Sequence, residues 1–243
     1  MSAHLQQAIE QLYHVFARYP LNPDMEGSPL YAYLDKWNRD LAAEPLRELS
    51  ADDLVIFYFK AMTTWGDVAD FKHFLPRIFE LLTSFRTYWE EWVALDKLNY
   101  GCWRAWPQQE QEAVLSYLLA FWDYLLTTPD ELADVFCGNY FEAIANVYPD
   151  LPELLRRWEQ APTVGLVRLG YFVSNNFEEW LKTQRLSAFD QHGKLGPAVL
   201  AWLATDTVLV RLQAARATAP DDFQAEVSEA VQLLTDYRRQ IIR

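Results

Sequence analysis

An all-α fold is predicted by three observations: leucine and alanine dominate the composition, apolar residues recur at helical spacing, and no stretch alternates convincingly between apolar and polar. Leucine occurs 34 times and alanine 27, against 21 for valine and isoleucine together and only 8 glycines. Leucine and alanine lose little freedom in a helix, whereas β-branched side chains lose χ1 freedom there.

The elements follow in order. A first helix over 3–19 places Leu5, Ile9, Leu12, Val15 and Phe16 on one stripe, and Pro20 and Pro23 stop it. Residues 21–29, with glycine, prolines and acids, read as a mobile loop. A short helix over 30–42 gathers Leu30, Leu34, Trp37 and Leu41, and Pro45 closes it. Ser50 with Asp52 and Asp53 is an N-cap followed by first-turn acids, so the run Leu54–Phe59 is assigned to a helix through Met62 rather than to a buried strand. Asp67 caps the next helix, which carries Phe71, Phe74, Leu75, Ile78, Leu81 and Leu82 and should kink at Pro76.

Residues 88–98 form another amphipathic stretch ending at Gly101, and Pro107 opens a helix striped by Val114, Leu118, Phe121, Trp122 and Leu125. Thr128 is placed to cap a helix that runs to Pro149, and a short piece over 152–160 precedes a longer helix over 163–185. Pro197 opens a helix through Ala215, and Pro220 with Asp221 and Asp222 opens the last. The outcome is a single domain, 1–243, of about ten helices. Three segments share a Thr-containing turn, an acid and a second apolar helix, beginning at Thr63, Thr127 and Thr218. Their unequal offsets exclude a strict period, so the expected architecture is an irregular HEAT-like superhelical or helical-hairpin stack.

Composition narrows the function. Apolar residues make up 51% and charged residues 23%, the profile of a globular chain. A net charge of −13 disfavours a nucleic-acid backbone or an anionic membrane as partner and leaves a basic protein open. No apolar stretch reaches the roughly 18 residues of a membrane span, and the first residues carry glutamine and acid where a leader carries a basic start, so the expected compartment is cytoplasmic. Cys102 and Cys137 lack metal-site spacing and read as reduced thiols.

The stretch TTWGDVADFKHFLPRIFELL, Thr63–Leu82, resembles a segment of an uncharacterised family of bacterial α-helical proteins, with similar flanking text from Leu46 to Val114. The resemblance implies the helical fold and no activity. The resemblance implies a cysteine pair just upstream, which such relatives often carry; no cysteine lies between Pro20 and Leu46 here, so a metal role tied to such a pair is not expected.

Two function classes are carried forward. The first is a non-enzymatic interaction module, such as an immunity or toxin-neutralising protein, that docks a basic protein partner. Its basis is charge segregation: no Lys or Arg occurs between Arg104 and Arg156, while nine acids do. Glu110, Glu112, Asp123, Asp130, Glu131, Asp134 and Glu142 are the expected contact acids of an acidic helical hairpin, with Trp103 and Trp106, in the turn GCWRAWP, as partly exposed anchors. The alternative is a metal-dependent or acid/base enzyme built on Trp65, Asp67, Asp70, His73 and Arg77. Asp70, His73 and Arg77 stand at i, i+3 and i+7 and would share one helix face. The bland reading of the same residues is a capping acid and an intrahelical ion pair.

No HExxH, CxxC, GxGxxG, Walker loop or GxSxG occurs, and His4, His14 and His192 are scattered, so no cofactor or metal is assigned. Asp206 interrupts an apolar stripe and is either a buried functional acid or a residue at the core's border.

Overall fold

The computed structural model describes residues 1–188, 190 and 193–241. His192, noted above as a scattered histidine, lies outside them. Among the described residues there are twelve α-helices and two short 3-10 helices, with isolated bridges and no strand. The fold is all-α. The helices are α1 (Ala3–Phe16), α2 (Leu34–Ala42), α3 (Ala51–Lys60), α4 (Val68–Leu82), α5 (Glu91–Tyr100), α6 (Gln108–Thr127), α7 (Glu131–Ala145), α8 (Leu151–Glu159), α9 (Thr163–Thr183), α10 (Leu195–Leu203), α11 (Asp206–Arg216) and α12 (Gln224–Ile241). The 3-10 helices are Trp103–Ala105 and Asp221–Phe223. The chain divides into two compact units, 1–121 and 122–243, with the boundary inside α6.

In the first unit α1 packs on α4, and α3 packs on α2, α4 and α5. The buried stripe of α1, Leu5, Ile9, Leu12 and Phe16, falls at the spacing that brings successive turns onto one face. Phe57 of α3 sits at the centre, its ring 5.3 Å from Trp65 and 4.5 Å from Phe74. Both α3 and α4 open with capping boxes. Ser50 and Asp53 exchange bonds with each other's backbone N–H, and Asp67 and Asp70 do the same. The C-terminal end of α3 is closed by a lysine from α5, whose Nζ donates to the carbonyls of Ala61 (2.7 Å) and Phe59 (3.3 Å). Burial of that ammonium pulls Lys97 down to about 8.

Segment 21–29 is a loop, as expected, and it makes several bonds to its neighbours. Met25 is buried, the Asn38 amide donates to its carbonyl, and Gly66 and Ser28 N–H groups bond the Glu26 and Thr64 carbonyls.

The second unit gathers round α9, which packs against α7, α8, α11 and α12. Contact with α12, three α-helices later, is not the nearest-neighbour pattern that organises a regular repeat stack. Trp122, Phe141, Trp158 and Phe172 form its aromatic centre, with successive ring centroids 4.8–5.8 Å apart. Asp190 organises the approach to α10: its carboxylate accepts from the backbone N–H groups of Leu186, Lys194, Leu195 and Gly196.

Boundaries differ from the sequence expectation in informative places. The stretch 30–33 is not helical, and α7 is capped by Asp130, whose carboxylate accepts from Leu132 N–H, rather than by Thr128. The helix expected over 197–215 is two helices, because Thr205 and Asp206 together make an N-cap and a first-turn acid. Asp206 is therefore the exposed first residue of α11, paired with Arg238, and not a buried acid.

Candidate functional site

The mid-chain carboxylates do not form an unanswered acidic face. Glu110 is fully buried; the Lys72 ammonium lies 2.7 Å from its Oε2 as a close ion pair, and Tyr19 donates to Oε1 at 2.8 Å. The Lys72 ammonium also sits 4.2 Å from the Trp106 ring centroid. Asp123 is met by Arg157 at 2.5 Å and Asp134 by Arg168 at 2.6 Å, while Glu153 receives both Arg156 and Arg157. Those guanidinium groups pull Glu153 down to about 2. Asp130 and Asp150 serve as N-caps of α7 and α8. Of the expected contact acids, Glu112 and Glu131 are exposed, Glu112 accepting from Gln108 at 2.7 Å. Glu142 is half-buried in α7, and desolvation pushes it up to about 8. Bases distant in sequence thus answer three of the nine mid-chain acids, Glu110, Asp123 and Asp134.

The two tryptophans are also corrected. Trp103 and Trp106 are buried, at 2% and 7% exposure, because the 3-10 turn folds them inward. The Trp106 indole donates to the Gly101 carbonyl at 2.8 Å and its ring meets Phe16 edge-on at 6.0 Å. Neither is an exposed anchor.

The alternative cluster separates into local duties. Trp65 is buried and donates to Asn38 Oδ1 at 2.9 Å. Asp67 and Asp70 are the capping box of α4; burial raises Asp70. Arg77 donates to the Leu49 carbonyl and to Glu80, both at 2.7 Å. His73 Nδ1 lies 2.9 Å from the Tyr19 carbonyl, and burial lowers its imidazole below the ordinary histidine range. Asp70, His73 and Arg77 share the helix α4, yet each is bonded to a different neighbour. Among the described residues no group of three or more His, Cys, Asp or Glu side chains is close enough to hold a metal ion.

A different feature of the first unit has the chemistry expected for a basic partner. Helices α2 and α3 enclose a cleft of about 400 Å³. Its apolar lining is Trp37, Leu41, Ile56 and Trp65, and four carboxylates, Asp40, Glu44, Asp52 and Asp53, stand round it against one ammonium, Lys36. Lys36 is itself 2.5 Å from Asp40. Asp53 is held ionised by the Ser50 hydroxyl and N–H, which lower it, and Glu44 and Asp52 are exposed. Trp37 lies 5.4 Å from Trp65 and 5.1 Å from Tyr31, and the Lys60 ammonium already rests 4.5 Å from the Tyr31 ring centroid. Sequence reasoning misses this cleft because Lys36, Arg39 and Arg47 are interspersed with its acids. The legible signal is the six acids from Asp35 to Asp53 flanking a tryptophan, together with Arg47 being drawn away to Glu10. Comparison with known protein families, curated proteins and solved structures finds no match.

Proposed function

We propose that this chain is a non-enzymatic protein-interaction module that binds a basic segment of a protein partner, in the manner of an immunity or toxin-neutralising protein. The hairpin that carries the contact is α2–α3 rather than α6–α7. The observation supporting this is the cleft itself: apolar walls for the methylene stem of an arginine or lysine, and carboxylates in excess where its charged head would lie. Aromatic rings beside those carboxylates add attraction for a cation, as Lys60 over Tyr31 illustrates within the chain. Two free thiols, one of them buried, suit a reducing cytoplasmic setting.

The test is calorimetric titration with a decapeptide of alternating arginine and glycine, repeated with glutamate in place of arginine. Saturable binding of the basic peptide is expected, weakening as salt shortens the reach of the charges from roughly 30 Å at 0.01 M to about 8 Å at physiological ionic strength. Absence of saturable binding at low salt, or equal binding of the acidic peptide, would overturn the reading.

A further inference from the structure

The first unit also contains a larger cavity, about 670 Å³, between α1, the turn at 45–48 and α4. Tyr13, Phe16, Pro20, Pro45, Pro76 and His73 are among its walls. Much of that wall is held still by bonds that need no ligand. Arg47 grips both oxygens of Glu10, at 2.8 and 2.7 Å, while its guanidinium lies 3.7 Å from the Tyr13 ring centroid. The Tyr13 hydroxyl donates to Glu80 at 2.6 Å, and Glu80 is held by Arg77 at 2.7 Å, so the ring is fixed on its face and at its tip. Three prolines supply walls with restricted backbone freedom.

One polar ring in the cavity has unfinished bonding. A carbonyl only accepts, so the nitrogen of His73 that lies 2.9 Å from Tyr19 O is the one carrying hydrogen. In neutral imidazole the other nitrogen, Nε2, is then a lone-pair acceptor. It has no protein partner among the described residues. Burial favours that neutral form. Charge at the cavity argues against an anion: Glu10 and Arg47 neutralise each other and Glu48 remains.

We propose that this cavity binds a neutral, planar aromatic molecule bearing an N–H or O–H donor, with the donor on His73 Nε2 and the ring against Tyr13 and the proline walls. The site is independent of the basic-partner cleft.

Indole and benzofuran make the test, since they share size and shape and differ in possessing an N–H or a ring oxygen. With ¹⁵N-labelled protein, indole is expected to shift the amides of Tyr13, Ala17 and His73 saturably and to move the His73 Nε2 resonance. Benzofuran should bind about tenfold more weakly, the scale of one hydrogen bond, and leave Nε2 in place. His73→Phe keeps an aromatic ring there and should bring indole down to the benzofuran affinity. Because that variant also loses the Tyr19 contact, the Nε2 resonance of the unaltered chain decides the matter even if His73→Phe does not fold. Indole producing no saturable shifts at these residues, or both probes binding equally with Nε2 unmoved, would overturn the proposal.

Discussion

Arg168, wholly buried in α9, shows at the scale of one residue how a mid-chain acid is answered by a base distant in sequence. Its guanidinium donates to the carbonyls of Leu125 and Thr128 and to Asp134, so it closes the end of α6 and answers a carboxylate of α7 together. Replacement by leucine leaves Asp134 and those carbonyls without their donor, and should cost about 3–5 kcal/mol in chemical unfolding. Glu142 behaves oppositely. Its carboxyl is raised to about 8 from 4.5, so between those values the folded chain holds a proton that the unfolded chain has lost. The parent's stability therefore falls as pH rises through that window, by up to about 1.36 kcal/mol for each pH step of one. Glu142→Gln carries no such proton and should be more stable than the parent above pH 8 and little changed near pH 4, the two sides of the window. Parallel denaturant titrations at the two extremes check it; a pH-independent difference would contradict the assignment.

At the scale of elements, most helices are legible in the sequence because their apolar spacing and caps are local. The cap at Ser50 and the acid at Asp67 stand where the text places them, and the run Leu54–Phe59 is helical as their presence implies. What is not legible requires either a competing local signal or a distant partner. Thr205 and Asp206 form a start signal inside an otherwise continuous apolar stripe, and the stripe masks it. The pairs Lys72–Glu110, Asp123–Arg157 and Asp134–Arg168 join residues 34 to 38 positions apart, beyond any helical spacing. The tightness of the turn that buries Trp103 and Trp106 is equally invisible, resting on Cys102 at φ 52° in the left-handed region. Asp67 gives the element-scale prediction. Asp67→Ala removes a side chain that accepts from Ala69 and Asp70 N–H, and should cost about 1 kcal/mol, whereas Asp67→Asn should cost much less. Thermal melts of the two variants check this capping role; equal losses for asparagine and alanine would contradict it.

For the whole molecule, acidity is spread rather than concentrated: 17 acids and 10 bases before residue 122, and 17 and 11 from there on. Net charge alone therefore does not locate a partner site, and the excess matters where fixed bases fail to answer it beside an apolar wall. That condition is met in the α2–α3 cleft, and the mid-chain hairpin loses it to Arg157, Arg168 and Lys72. The most direct measurement compares two charge reversals of equal size for their affinity toward the arginine–glycine decapeptide at fixed salt. Glu44→Lys with Asp52→Lys should weaken binding by roughly tenfold or more, and Glu112→Lys with Glu131→Lys should leave it within about twofold. The opposite order, with the mid-chain pair abolishing binding and the cleft pair leaving it intact, would contradict the account.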